Sequence, residues 1–252
     1  MSGFSVAAAR AGLPDTGLIT VTEMLDQGRQ LCDAVSIPVI GDGDTGHGNA
    51  ANVQRTMHQF KQAGFAGIML EDQVSPKRCG HTGVKEVVAR DVAIERVSAA
   101  VEARRQGADL VIVARTDARS AFAQSYGERG ALDEALWRLK AFADLGADVL
   151  FLEAPRSEEE MLRFCAEVPG KRMANMLEGG VTPLLRPEQL SAMGFHLVAY
   201  PLTLLASAAF AMRQAVSDLQ SGKTPENMLS FSELKSLVQF DQYEDTLAKP
   251  SH

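Results

Sequence analysis

Short apolar runs, each followed almost at once by acidic, amide or cationic side chains, recur along the chain with amphipathic stretches between them. Ile37-Pro-Val-Ile-Gly41 opens onto Asp42-Gly-Asp44, and Ala66–Leu70 ends in Glu71-Asp72. Asp109–Ala114 ends in Arg115-Thr-Asp117, and Asp148–Leu152 ends in Glu153. Arg172–Asn175 leads to Glu178-Gly-Gly180, and His196–Tyr200 ends at Pro201-Leu-Thr203. Helical spacing is predicted over Glu23–Val35, Asn52–Ala63, Asp91–Arg105, Leu132–Leu145, Ser157–Val168 and Pro187–Met193. A further helix is predicted from Leu204 to about Ser221, and a last one within Ser230–Ala248. Strands this short, alternating with helices, build parallel βα units. Polar residues gathered just past each strand mark the catalytic face of a (β/α)8 TIM-type barrel.

The count is six strands, and a closed barrel of this kind needs eight. The N-terminal one to two βα units are therefore expected to be missing, because no strand precedes Ser2-Gly3. Either the barrel is truncated or it is open and borrows a partner, and truncation is the favoured reading. Met1–Gly17 is expected to be an irregular loop, with Thr20 or Thr22 capping the first helix. No linker interrupts the pattern. Residues 1–252 read as a single barrel domain, with 204–252 a C-terminal helical segment.

A chain of 252 residues with 46% hydrophobic content can bury a large core. Its net charge of −7 argues against a nucleic-acid footprint. No apolar run is long enough for a membrane span, and the N-terminus lacks a signal-peptide layout. An odd set of three cysteines, Cys32, Cys79 and Cys165, points to a reducing compartment and a cytoplasmic location.

The segment Ser75-Pro-Lys-Arg-Cys-Gly-His-Thr-Gly-Val-Lys85 places a thiol, Cys79, between Lys77-Arg78 and His81. Nearby cations favour a thiolate, and Gly80 and Gly83 give the loop hinges. Asp15, Asp42, Asp44 and Glu71 lie in loops on or near the catalytic face. An all-oxygen set with no His or Cys cluster suits a hard octahedral ion such as Mg²⁺. Acids that merely cap the following helices are the alternative, and Asp42-Gly-Asp44 is the pair this explains least well. Arg115, ending an apolar strand, is expected to point into the mouth of the barrel. There it would grip a substrate carboxylate or pair with Glu71 or Glu153. Glu153 would orient a water, accept a proton or neutralise Arg115. His58, His196 and His252 read as structural, and Cys32 and Cys165 as packing residues. The Thr45-Gly-His47-Gly-Asn49 glycines match neither a Walker loop nor a dinucleotide fingerprint.

These motifs resemble the isocitrate lyase/phosphoenolpyruvate mutase superfamily. The matching blocks are Gly12-Leu-Pro-Asp-Thr-Gly, Gly41-Asp-Gly-Asp-Thr-Gly-His-Gly-Asn, Leu70-Glu-Asp-Gln, Pro76-Lys-Arg-Cys-Gly-His, Ala114-Arg-Thr-Asp-Ala-Arg, Leu152-Glu-Ala-Pro-Arg and Ala174-Asn-Met-Leu-Glu-Gly-Gly. Within the superfamily the chain looks most like the carboxyvinyl-carboxyphosphonate phosphorylmutase-like proteins, the petal death protein and the 2-alkylmalate and 2-methylisocitrate lyases. The resemblance implies Mg²⁺ or Mn²⁺ held by Asp42, with Asp15, Asp44 and Glu71 acting directly or through waters. It implies that Ser2 and Gly3 bind a 2-oxo-acid carboxylate, that Arg115 stands at the reacting centre, and that Cys79, Gly80 and His81 belong to a gating loop. Cys79 would be the acid that protonates the departing carbanion. Glu153, Asn175, Pro201 and Leu202 would make further substrate contacts. A homotetramer with swapped C-terminal helices is implied as well. His47 stands where the family usually has Tyr, and Glu178-Gly-Gly180 looks like the alkylmalate and petal-death subgroup.

The expected function is a Mg²⁺-dependent carbon–carbon lyase that cleaves a 2-alkylmalate or 2-methylisocitrate type of dicarboxylate to a 2-oxo acid. Phosphonate-type phosphorylmutase and oxaloacetate decarboxylase are the rival chemistries. An inactive truncated barrel or a ligand-binding protein is the alternative of another class.

Overall fold

The computed structural model describes residues 1–77 and 85–248. In chain order its elements are α1 (Gly3–Val6), a π-helical turn (Ala7–Ala11), α2 (Val21–Ala34), β1 (Ile40–Asp42), α3 (Ala50–Gln62), β2 (Gly67–Glu71), α4 (Arg90–Arg105) and β3 (Val111–Thr116). There follow α5 (Ala118–Ala121), α6 (Ala123–Leu145), β4 (Val149–Leu152), α7 (Glu158–Glu167), β5 (Lys171–Asn175), α8 (Pro187–Met193), β6 (Leu197–Ala199), α9 (Thr203–Gln220), α10 (Phe231–Leu237) and α11 (Phe240–Ala248). The six strands form one curled parallel sheet in the order β1-β2-β3-β4-β5-β6.

Residues 3–11 are helical, where an irregular loop is expected from the sequence. Ser2 caps the turn by accepting from the Ser5 amide, and the Ala7-Ala-Ala-Arg-Ala run favours the helix. Thr20 caps α2 in a reciprocal box with Glu23. The long helix α6 begins earlier than its apolar spacing suggests and is broken at Gly127, whose φ of 68° is left-handed.

Two apolar layers follow from the strand period of two. Ile68, Leu70, Ile112, Ala114, Leu150 and Leu152 face the helices and pack with Met57, Phe60, Val97, Leu136, Leu139 and Phe142. The alternate residues Val113, Val149 and Phe151 face inward, with Ile40, Met69, Met173 and Leu197 around them. Phe60 and Phe65 stack at 4.7 Å between α3 and the sheet. Each such ring contributes roughly 1.5–3 kcal/mol by leaving water.

The backbone divides into two compact units, Met1–Leu204 and Leu205–His252. In the second, α10 and α11 bury no side chain, nor does α9, and Phe210, Leu219, Phe231, Leu237 and Tyr243 are all exposed. Among the described residues no helix is long and apolar enough to cross a membrane.

Candidate active site

The same alternation that builds the inner layer brings the polar residues together. Asp42 pairs in register with Met69, Glu71 with Arg115, Arg115 with Phe151, and Asn175 with Ala199. Paired residues of parallel strands share a face, so Asp42, Glu71, Arg115 and Asn175 continue the inward rows begun by Ile40, Met69, Val113 and Met173. Glu153 lies two residues beyond Phe151 and takes the same side. The inner face is thus apolar at its base and charged at the C-terminal ends of the strands.

A first cluster gathers after β1. Gly43 separates the two acids because a Cβ there would sit 2.7 Å from Ile68 and 2.8 Å from the Met69 carbonyl oxygen. Asp44 adopts a left-handed φ of 49°, and its amide donates back to Asp42 Oδ1 at 3.1 Å. The Gly3 amide donates to Asp42 Oδ2 at 3.0 Å, an approach a Cβ would block, since it would lie 2.7 Å from the same oxygen. The Lys77 ammonium stands among the acids, 3.1 Å from Asp15 Oδ1, 3.6 Å from Asp42 Oδ2 and 2.5 Å from Asp44 Oδ1. Burial pushes Asp42 up, but Lys77, Arg115 and the two amide bonds outweigh it and hold Asp42 below the usual range. Asp44 is pushed up to about 6 by burial and by the Asp42 charge. Burial would lower Lys77, yet Asp42, Asp44 and Glu71 keep it well above its ordinary value.

A second cluster is built on Arg115. Its Nε and Nη2 donate to Asp117 at 2.9 and 3.0 Å, Nε lies 3.3 Å from Glu71 Oε2, and Nη2 lies 3.6 Å from Glu153 Oε1. Arg115 therefore meets both acids anticipated from the sequence, and Asp117 as the strongest partner. Burial pushes Glu71 well above its ordinary value, with Arg115 opposing. Asp117 titrates low because Arg115 and Lys85 outweigh its burial. Lys85 Nζ donates to Asp117 Oδ1 at 2.7 Å.

The frame beneath is fixed by Asp72, which accepts from Thr116 Oγ1 at 2.6 Å, the Asp117 amide at 2.9 Å and Arg138 Nη1 at 3.1 Å. Gln73 and Val87 form an isolated antiparallel bridge, and Arg96 donates to the Glu71 and Gln73 carbonyls. These contacts fix residues 71–74 and 85–88 as the two roots of the thiol-bearing segment. Cys79, Gly80 and His81 themselves lie outside the described residues, as does His252.

Of the remaining candidates, Ser2 caps α1, and Ser5 Oγ donates to the Pro201 carbonyl at 3.0 Å beside Leu202. Asn175 ends β5, and Glu178 accepts from Thr203 Oγ1 at 2.6 Å. His47 has a φ of 62° and a buried Nε2 with no hydrogen-bond partner among the described residues. Its pKa is lowered by burial. His196 lies at the start of β6, its Nδ1 near the Arg172 amide, at the sheet end opposite the acids. Cys32 and Cys165 are half-buried on α2 and α7. Three participants have no role evident from the sequence: Lys77 toward the acids, Lys85 and Asp117. Asp117 was visible at the end of a strand, whereas nothing in the sequence pairs Lys77 or Lys85 with a particular acid.

Among the described residues, no three acids, histidines or cysteines form a ready cage for a metal. The three aspartates converge on one cationic centre nonetheless, and all the donors are hard oxygens.

The family described as phosphoenolpyruvate phosphomutase matches residues 1–220, and the chain belongs to it. Within it, the chain is a lyase of the isocitrate lyase/phosphoenolpyruvate mutase superfamily. It is 41% identical to 2,3-dimethylmalate lyase of Eubacterium barkeri over 94% of this chain and 81% of that one. It is 39% identical to the chloroplastic carboxyvinyl-carboxyphosphonate phosphorylmutase of Arabidopsis thaliana, over 100% of this chain and 74% of that one. The solved oxaloacetate acetylhydrolase bound to 3,3-difluorooxalacetate superposes with a TM-score of 0.88 at 32% identity, covering 100% of this chain and 85% of that one.

Proposed function

We propose that the chain is a Mg²⁺-dependent carbon–carbon lyase acting on a 2-hydroxy dicarboxylate of the 2-alkylmalate or 2-methylisocitrate kind, releasing a 2-oxo acid such as pyruvate. The observation that carries the reading is the joint placement, on one sheet end, of an aspartate trio gathered on a cation and a buried Arg115 held by acids. Asp42, with Asp15, Asp44 and Glu71 directly or through waters, would hold Mg²⁺ or Mn²⁺. The ion, when bound, supplies Lewis-acid polarisation of the substrate 2-oxygen and its neighbouring carboxylate.

The chain's own groups supply the rest. The Gly3 amide and Ser2, at the start of α1, would bind the 2-oxo-acid carboxylate. Glu153 or a neighbouring carboxylate would take the 2-hydroxyl proton. As the carbon–carbon bond breaks, its electron pair passes to the departing half as an aci-carboxylate, whose charge Arg115 faces. Cys79 would then protonate that carbon, with His81 beside it and Gly80 as a hinge. Asn175, Pro201 and Leu202 would complete the substrate contacts. Cys79 as a thiol acid favours this lyase over a phosphorylmutase reaction.

We read the six-stranded arc as the larger part of a (β/α)8 barrel. We read the exposed apolar side chains of α9, α10 and α11 as the surface of a homotetramer in which C-terminal helices are exchanged. We read the chain as a cytoplasmic enzyme of small molecules, in keeping with its net charge of −7 and its odd set of three cysteines.

The test is release of a 2-oxo acid from a panel of 2-alkylmalates, 2-methylisocitrate and oxaloacetate, with Mg²⁺ and with EDTA, beside Cys79→Ser. Mg²⁺-dependent cleavage of a malate or isocitrate, lost in the serine variant, is the expected result. Turnover of oxaloacetate alone that survives Cys79→Ser would overturn it in favour of oxaloacetate chemistry.

A further inference from the structure

Lys77 stands out as a buried cation placed where its charge opposes the ligand the acids would take. Its side chain is only 6% exposed, and the ammonium reaches Asp15, Asp42 and Asp44 at 3.1, 3.6 and 2.5 Å. An ammonium has three donors and no acceptor, and the three carboxylates around it neutralise its charge. Without it, three aspartates and the nearby Glu71 would share a buried pocket with Arg115 as an opposing charge, an arrangement that costs heavily in a low dielectric. Lys77 also approaches the space beside Gly3, since a Cβ on Gly3 would stand 3.4 Å from Nζ.

A divalent ion bound by the same oxygens would sit at about 2.0–2.1 Å from each direct ligand for Mg²⁺. The ammonium at its present distances would then be a like charge pressed against the ion's own coordination shell. The ammonium already stands 2.5 Å from Asp44 Oδ1, and a few ångströms of separation between two cations in a buried site makes their repulsion large. That repulsion favours an ammonium that moves away as the ion enters.

We propose that Lys77 is an internal counter-ion that occupies the aspartate trio in the metal-free protein and is displaced when the divalent ion binds, so that it sets the affinity for that ion. This rests on the metal reading given above. It assigns to Lys77 two opposed effects. The ammonium keeps the acid-rich pocket folded without metal, and it weakens metal binding by the free energy needed to expel it. A flexible four-carbon stem suits the task, because the ammonium can leave without moving the strands that carry the acids.

The test is titration with Mn²⁺, followed by calorimetry and by the electron paramagnetic resonance of the free ion, on the wild type, Lys77→Met, Lys77→Arg and Asp42→Asn. Lys77→Met is expected to bind Mn²⁺ at least about tenfold more tightly than the wild type, each tenfold being about 1.4 kcal/mol. Its metal-free melting temperature is expected to fall and to recover on adding Mn²⁺, while Lys77→Arg, which keeps the charge, stays near the wild type. Equal or weaker Mn²⁺ binding by Lys77→Met, with binding lost in Asp42→Asn, would overturn the counter-ion role and leave the metal reading standing. No Mn²⁺ binding by any of the four proteins would overturn the metal reading itself. A measurement on the unaltered chain covers the case in which Lys77→Met does not fold. Acetylation of Lys77, mapped by mass spectrometry, should rise severalfold when Mg²⁺ is added, and an unchanged extent would again overturn the exchange.

Discussion

The two charged clusters at the strand ends hold comparable acids in different ways. Around Lys77, three aspartates share a single flexible cation that enters from a loop and forms no bidentate bond. Around Arg115, a rigid guanidinium is held by two bonds to Asp117, flanked by Glu71 and Glu153, and Asp117 is tied on its other side to Lys85. The first arrangement is short of positive charge and has a replaceable cation. The second is cross-braced, and its cation cannot leave without stranding buried acids. A site that must take up a charged ligand benefits from an adjoining frame that does not move, because the frame keeps the reacting groups oriented while the ligand exchanges.

That contrast is broken most severely at Arg115. Arg115→Met leaves Glu71, Asp117 and Glu153 without their central partner, and breaking a buried ion pair in this way costs about 3–5 kcal/mol. Both the melting temperature and kcat should fall together, as read by calorimetry and the cleavage assay. Asp44→Asn should separate the two effects. Asp44 is the acid that burial and the Asp42 charge push up to about 6, so removing its charge relieves repulsion and stability should change by less than about 1 kcal/mol. Activity should nevertheless drop by about ten- to a hundredfold. A large loss of stability in Asp44→Asn would erase the distinction between the clusters.

Lys85→Met tests the brace at lower cost. It removes the 2.7 Å bond to Asp117 while Arg115 remains, so a loss of about 1–3 kcal/mol is expected by denaturant titration. The smallest effect should come from Glu134, outside both clusters. Burial would raise its pKa, but hydrogen bonds from Arg90 and Arg138 outweigh burial and hold it below the ordinary 4.5. Its folded value is the lower one, so its contribution is present above about pH 4.5 and is lost as pH falls below that. Glu134→Gln should therefore flatten the acid limb of the stability–pH curve while changing stability at pH 7 by about 1 kcal/mol.

Much of this was legible in the sequence. Glu71, Arg115 and Glu153 lie just past apolar runs with a period of two, which fixes both their face and their end of the sheet. Asp42-Gly-Asp44 was visible as a pair of acids after a strand, and Gly43 proves necessary because the β2 backbone passes too close for a Cβ. The helix at 3–11 is hidden because Ser2-Gly3 reads as a loop, and the alanine-rich run after it is the available signal. In the sequence Lys77 is only a cation near Cys79. Its ammonium meets Asp15, Asp42 and Asp44, 62, 35 and 33 residues away along the chain, and no periodicity links positions so far apart.

By itself, then, the sequence determined which residues stand at the strand ends and on which face, because side-chain alternation along a strand is a local property of the backbone. Only the tertiary structure decided which cation serves which acids. Charge pairing depends on distances between segments remote in the chain, and a buried ammonium or guanidinium takes the partners that packing brings within about 3 Å. The exchangeable lysine and the braced arginine are outcomes of that packing.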